Sequence, residues 1–313
     1  MKKDNIRLWK TILIAIAMLV VVDITVGVVA DRLIDKMPDF SGDLAKDNYR
    51  LHRLNTDVVI LGSSRGNYHY VSQQLSDSIE AYLGKRLSLY NASISFKRAN
   101  SNSCAAEAII ARYRPKLVIY DITEEYLCDA PLEEIEFSAP YYWKDTVVRR
   151  YIDDVGLKER ILMKSNLYRY NGKLFRIVSS LFKPTAPNDG YEPLRGARID
   201  LTEHNEEEET SMPTLEELDD YTLNNFETVL RKYSSENIPL VIVCSPRYQP
   251  KDNNKRLAAI CDQYGIPFID YYDTPYFNDR PELFFDTQHL NDEGAHVFTA
   301  LLFEQLKPFL PKP

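Results

Sequence analysis

Hydrophobic positions fall into three kinds of run along this chain. The first is long: residues 11–30 read Thr-Ile-Leu-Ile-Ala-Ile-Ala-Met-Leu-Val-Val-Val-Asp-Ile-Thr-Val-Gly-Val-Val-Ala, interrupted by one charge at Asp23. That is about the ~20 residues a helix needs to cross a bilayer. The second kind is short and rich in β-branched residues, at 57–61, 87–91, 116–122, 239–244 and 267–270. Asp57-Val-Val-Ile-Leu61 is apolar on both faces, as a buried parallel strand must be. Helical stretches fall between these runs: 72–83 ended by Gly84, 99–112 ended near Pro115, 215–234 opened by the capping box Thr214-Leu-Glu-Glu217, 252–264 ended by Gly265, and 292–306. The alternation predicts an α/β fold with a parallel sheet of about five strands, covered on both faces.

The pattern divides the chain into a basic tail (1–10), an anchor (11–30), a linker (31–54) and one α/β domain (55–313). Residues 124–213 contain no clear strand and many aromatics, which predicts a helical and loop insertion over the C-terminal edge of the sheet, where it would shape a substrate site. Lys2, Lys3, Arg7 and Lys10 precede the apolar run, a bias that keeps the N-terminus cytoplasmic and sends the remainder out. A cleaved signal peptide ending at Val28-x-Ala30 is the competing reading, but the run exceeds the usual signal core. Asp23 is costly in lipid and calls for a partner or a place near the outer interface.

The 313 residues carry a net charge of −8, and those after Ala30 hold 34 Lys+Arg against 44 Asp+Glu. An acidic exported domain without clustered basic residues is a poor binder of nucleic acid or anionic lipid. The run Glu206-Glu207-Glu208-Glu209 reads as a solvated loop. Cys104, Cys128, Cys244 and Cys261 allow three pairings and contain no Cys-x-x-Cys; Cys244 ends a strand and Cys104 lies in an Ala-rich helix, as buried thiols would.

The candidate chemistry lies at the two ends of the domain. Gly62-Ser63-Ser64-Arg65 follows the first strand, so Ser64 would sit at a strand's C-terminal end, where open α/β sheets place their ligands. In Asp286-Thr287-Gln288-His289-Leu290-Asn291 a carboxylate and an imidazole are three residues apart, close enough for Asp286 to fix the tautomer of His289 while its other nitrogen faces Ser64. A Ser-His-Asp hydrolase is the sharp reading. Gly62-Ser63-Ser64-Arg65-Gly66 also satisfies the nucleophile elbow of α/β-hydrolases, but that elbow follows several strands, with acid and base on separate loops. A metal phosphatase using Asp270, Asp273, Asp286 and His289 would lack any paired His-x-His or Asp-x-His signature.

In order and spacing these segments resemble the SGNH (GDSL-type) hydrolase superfamily over roughly residues 55–310. The Gly-Ser-Ser variant is similar to the membrane-anchored, cell-envelope branch related to the D-alanine transfer protein. The resemblance implies a flavodoxin-like three-layer α/β/α sandwich, Ser64 as nucleophile, and His289 and Asp286 as base and orienting acid. It also implies an oxyanion hole from the N–H groups of Ser64, Ser95 and Phe96. Asn91-Ala92-Ser93-Ile94-Ser95 matches the family's second block, with Phe96 where glycine is usual. The third block should supply an asparagine, yet Lys116-Leu-Val-Ile-Tyr-Asp-Ile-Thr123 runs into Glu124-Glu125. Losing one donor typically costs about 10² to 10³ in turnover, so reduced or selective activity is implied.

The activity implied is that of a serine esterase or acyltransferase on O-acyl groups, acetyl first among them, of envelope or dietary glycans, with no cofactor and no metal. The alternative is a catalytically silent envelope assembly or glycan-binding protein. Arg65 beside the nucleophile and Arg247 in Ser245-Pro-Arg-Tyr248 are candidates to meet an anionic or hydroxyl-rich substrate, or are surface charges. Tyr141-Tyr142-Trp143, Tyr168 and Tyr170 would stack on sugar rings or simply pack. His69 reads as a loop side chain, His296 as part of the last helix, and His52 and His204 have no motif around them.

Overall fold

The computed structural model describes residues 2–128, 135–183, 188–197, 217–250 and 252–312. Helix α1 (Lys2–Ile34) continues past the expected anchor and is followed by α2 (Asp43–His52). The α/β domain then runs β1 (Val58–Leu61), α3 (Ser64–His69), α4 (Ser72–Leu83), β2 (Leu89–Asn91), α5 (Ala99–Ile110) and β3 (Leu117–Asp121). Short helices α6 (Glu125–Cys128), α7 (Thr146–Val155), α8 (Leu157–Leu162), α9 (Asn166–Arg169) and α10 (Lys173–Leu181) come next. The chain closes with α11 (Asp220–Glu236), β4 (Leu240–Cys244), α12 (Lys255–Gln263), β5 (Phe268–Asp270), α13 (Pro275–Asn278) and α14 (Asp292–Leu306).

The five strands form one parallel sheet in the order β2-β1-β3-β4-β5. This flavodoxin-like order has its switch point between β1 and β3, the crevice where such sheets take their ligands. Alternation along each strand divides the core. Val58, Ile60, Leu117, Ile119, Val241 and Val243 pack with Leu75 and Ile79 of α4 and Phe298 and Leu302 of α14. Val59, Leu61, Val118, Tyr120 and Ile242 face the other layer, with Ala105 of α5, Phe226 of α11 and Leu257 of α12.

The segment expected to be a linker is folded into that second layer. Arg50 of α2 is fully buried, donating to Asp47 at 2.8 Å, Asn102 at 2.9 Å and Ser101 at 2.7 Å. The expected helix opening at the Thr214 box begins instead at Asp220, capped by the Asp219 side chain on Thr222 N–H; residues 214–216 lie outside the described residues. Among the described residues the insertion is helical. Helices α7, α9 and α10 pack against α1, α2 or α5, while α6 lies at the sheet's C-terminal edge, with Tyr126 against Ser63 and Arg65. The stretch 188–194 also crosses that edge, through Asn91 N–H to Asp189 O, Glu192 N–H to Asn67 O and Asp292 N–H to Leu194 O. Gly190 makes the crossing possible: its φ is +87°, and a Cβ there would collide with Asn91 O.

Helix α1 is long and apolar enough to cross a bilayer from Asn5 to Ile34. Its distal end belongs to the folded core, where Ala30 and Ile34 are fully buried. Asp23 finds its partner within the chain: one oxygen accepts from Ser165 Oγ at 2.6 Å and Leu167 N–H at 2.9 Å, the other from Asn166 Nδ2 at 3.0 Å. Nearby, Asp31 accepts from Tyr170 OH at 2.6 Å.

Candidate active site

Strand β1 ends at Leu61, and Ser64 opens α3 three residues later, at the C-terminal edge of the sheet. The glycines on either side make this sharp turn possible. A Cβ on Gly66 would collide with Ser93 Oγ, and one on Gly62 would press on Gly66 and Asp121. Gly66 therefore lets α3 approach the end of β2, which explains the Gly-x-Ser-x-Gly coincidence without an α/β-hydrolase elbow. The two adjacent serines have different surroundings. Ser63 is buried and hydrogen-bonded to Tyr126, whereas Ser64 is half-buried, with its hydroxyl on His289.

The loop before α14 is closed at its base by the pairing of Phe284 with Leu290 and by Asn291, whose amide donates to Glu282 O at 2.7 Å while its oxygen caps Gly294 N–H. Within that loop, Asp286 Oδ1 accepts from the N–H groups of Gln288 and His289 and from His289 Nδ1, each at 2.9 Å. A carboxylate can only accept, so Nδ1 carries the proton and Nε2 is left as the acceptor for the Ser64 hydroxyl, 2.8 Å away. Burial by itself would raise the Asp286 carboxyl, but these donors outweigh it and hold its pKa below the ordinary value. Residues 222 positions apart in sequence thus meet in the hydrogen-bonded order acid, base, hydroxyl.

The turn at 94–97 is closed by Lys97 N–H on Ile94 O at 3.1 Å. Its third residue, Phe96, has φ +65°, the left-handed conformation for which such turns favour glycine. The side chain avoids the site by pointing into solvent, 87% exposed, so the glycine-like backbone survives at a conformational cost of about 1–2 kcal/mol. Among the described residues, the N–H groups of Ser64, Ser95 and Phe96 donate to no backbone carbonyl. Ser95 Oγ donates to Tyr68 OH at 3.1 Å, and the Tyr68 ring meets His289 edge-on at 5.5 Å between centroids.

A buried polar network beneath the triad went unread in the sequence. His69 is no loop side chain; it ends α3 and is fully buried. Its Nε2 accepts Leu290 N–H at 2.9 Å, so Nδ1 carries the proton and donates to Ser245 Oγ at 3.0 Å. Ser245 in turn hydrogen-bonds Asp121, which also accepts from Tyr70 OH at 2.6 Å. Burial, with His289 and Arg65 nearby, pushes the His69 pKa well down, and burial pushes the Asp121 carboxyl up. The chain from β3 through β4 and α3 to the His289 loop holds that loop against the sheet. The sole sequence signal was a histidine about one and a half helical turns beyond Ser64.

Arg65 and Arg247 are not surface charges. Arg65 lies between the rings of Tyr126 and Tyr272, donating to Thr123 Oγ1 at 2.9 Å. Burial opposes its charge, but Tyr126 and Asp121 raise its pKa. Arg247, also buried, donates to Tyr272 OH at 2.7 Å and pairs with Glu125 and Asp252. Both brace the floor of the site in this conformation, and Arg65 Nε is buried without a hydrogen-bond partner among the described residues. Tyr141, Tyr142 and Tyr170 are buried, donating to Leu44 O, Asp153 and Asp31, Tyr168 donates to Glu136, and Trp143 is exposed beside Tyr142. Asp270 accepts Tyr272 N–H and Asp273 accepts from Asn278, and no group of three His, Cys, Asp or Glu among the described residues is arranged to hold a metal. The four cysteines are unpaired, three of them buried. His204 and Glu206–Glu209 lie outside the described residues.

No protein-family model matches this chain, and no curated protein matches it.

Proposed function

We propose that this chain is a membrane-anchored, exported serine esterase or acyltransferase of SGNH type, acting on O-acyl groups of glycans, O-acetyl first among them. The observation that carries the reading is the relay from Asp286 Oδ1 through the His289 ring to Ser64 Oγ, with bonds of 2.9 and 2.8 Å. In this reading Ser64 Oγ attacks the ester carbonyl as its proton passes to His289 Nε2, and Asp286 stabilises the imidazolium. The N–H groups of Ser64, Ser95 and Phe96 receive the oxyanion. Collapse expels the alcohol with the proton from His289, leaving an acyl group on Ser64. Water or an acceptor hydroxyl, deprotonated by His289, then releases the acyl group by hydrolysis or transfer. The chemistry requires no cofactor.

The location rests on α1. The basic residues before the apolar run favour a cytoplasmic N-terminus, and the full burial of Ala30 at the candidate cleavage site supports an uncleaved anchor. An export-dependent reporter joined to the C-terminal end should be active; activity only from a cytosolic reporter there would overturn the topology.

A fluorophosphonate probe tests the chemistry. The wild type should label covalently, Ser63→Ala should label more weakly, and Ser64→Ala not at all. The second reading, a silent envelope assembly or glycan-binding protein, draws on the missing third-block asparagine after β3. An unlabelled wild type would favour it.

A further inference from the structure

Helix α10, which packs on α1, carries apolar side chains on both faces, and α8 carries exposed ones. On α10, Leu174, Ile177 and Leu181 pack into the core, while Phe175, Val178 and Phe182 form a second stripe that faces outward, the two phenylalanines 81% and 83% exposed. On α8, Leu157 and Ile161, one helical turn apart, are 71% and 56% exposed. Exposed apolar stripes of this kind on consecutive helices mark a contact surface.

The clasp on Asp23 indicates what covers it. The apolar run of α1 ends at Ala30, before Asp31 and Arg32, so Asp23 lies about 10 Å back along the helix from that end at ~1.5 Å per residue. Ser165, Asn166 and Leu167 reach it there, and a Cβ on Gly27 would collide with Asn166. With the outer hydrocarbon boundary at Ala30, the end of the apolar run, the start of α9 lies below that boundary, near the 5–10 Å depth typical of interfacial helices. The charge agrees. Residues 157–183 hold seven Lys or Arg, of which Arg169 is buried and Arg176 lies on Phe137, against the single acid Glu159, in a chain of net charge −8, so basic residues are clustered here. Long cationic side chains bordering an apolar face are suited to the headgroups of an anionic leaflet.

We infer that α9 and α10, which pack on α1, form with the preceding α8 a membrane-embedded collar, with the outward stripe of α10 and the apolar residues of α8 in the outer leaflet. This rests on the reading of α1 as a retained anchor. The collar fixes the orientation of the domain on the membrane, so that α1 acts as part of a rigid platform for the site at the sheet edge.

The test uses the full chain with Trp9→Phe and Trp143→Phe, carrying one new tryptophan at a time, in phosphatidylcholine/phosphatidylglycerol vesicles with and without dibrominated acyl chains. Leu19→Trp reports the span, Phe175→Trp and Phe182→Trp report the collar, and Tyr82→Trp on α4 is the aqueous control. We expect bromolipid to quench Leu19→Trp, Phe175→Trp and Phe182→Trp at least twofold and to leave Tyr82→Trp unchanged. Quenching of Leu19→Trp alone would keep the anchor and overturn the collar; a partner protein that normally covers the stripe would give that result. No quenching of Leu19→Trp would overturn the anchor and the collar together.

Discussion

Two carboxylates, Asp286 at the sheet edge and Asp23 in α1, are held differently, Asp286 by its own loop and Asp23 by a distant segment, with opposite consequences. Asp23 has both oxygens occupied by donors from one short stretch, 165–167, and the result is a mechanical clasp. Asp286 gathers three donors on a single oxygen, and the last of them is an imidazole whose far nitrogen faces a half-buried hydroxyl. A satisfied carboxylate makes structure. A carboxylate that passes its charge through a titratable ring to an accessible oxygen can make chemistry, provided that donors nearby are left uncommitted, as those of Ser64, Ser95 and Phe96 are.

The largest test breaks the relay. His289→Ala should cost turnover about 10⁶-fold and Asp286→Asn about 10⁴-fold, because the carboxylate orients and stabilises what the imidazole does directly. Adding Asp286→Asn to Ser64→Ala should cost nothing further in steady-state ester hydrolysis, since the residues act as one unit. If a chelator silenced the wild type while Ser64→Ala stayed active, Asp286 and His289 would be ligands instead of a relay.

The next test separates support from chemistry. His69→Phe removes the acceptor for Leu290 N–H and should lower kcat about 10- to 100-fold with KM little changed, on the order of 1–3 kcal/mol for an orphaned buried donor. Because burial holds the native His69 pKa well below 6.5, the unfolded chain binds a proton in acid that the native state does not. Stability contributed by the neutral ring is thus present above about pH 6.5 and is lost as pH falls below it, by up to ~1.4 kcal/mol per unit. Chemical denaturation at pH 7 and pH 5 should show this slope in the wild type and a shallower one in His69→Phe.

Breaking the clasp should do the reverse. Asp23→Ala leaves Ser165, Asn166 and Leu167 N–H without their acceptor and should destabilise the detergent-solubilised chain by about 1–3 kcal/mol, read as a lower melting temperature, with kcat unchanged. A fall in kcat matching that of His69→Phe would show that the two regions are coupled. The smallest effect belongs to the oxyanion turn: Phe96→Gly should relieve the left-handed strain and stabilise by about 1 kcal/mol in the same melting assay, with labelling of Ser64 preserved.

Much of this architecture was legible because it is local. Strand runs, helix ends at Gly84 and Gly265, and the three-residue spacing of Asp286 and His289 are written in neighbouring residues, and the observed β1, β3 and β4 fall within two residues of the expected runs. Phe96 was recognisable as standing where a glycine is usual, and its backbone does adopt the glycine-favoured conformation. The surface alternative for Arg65 and Arg247 and the loop reading of His69 failed because burial is a property of the packed layers, invisible to spacing along the chain. Residues 31–54 read as a linker because the partners of Arg50, in α5, are about fifty positions away.

By itself the sequence determined the α/β layering, the apolar helix and the two segments that hold a hydroxyl, a base and an acid, since each depends on side-chain type and short-range periodicity. Only the tertiary structure decided that Ser64 and not Ser63 faces His289, that both arginines are buried, that His69 ties the His289 loop to the sheet, and that Asp23 is answered from α9. Each of these depends on which surfaces meet once the sheet has twisted and its helices have packed, and hydrogen bonds between residues more than a hundred positions apart exist only after that packing has brought them within 3 Å or so of one another.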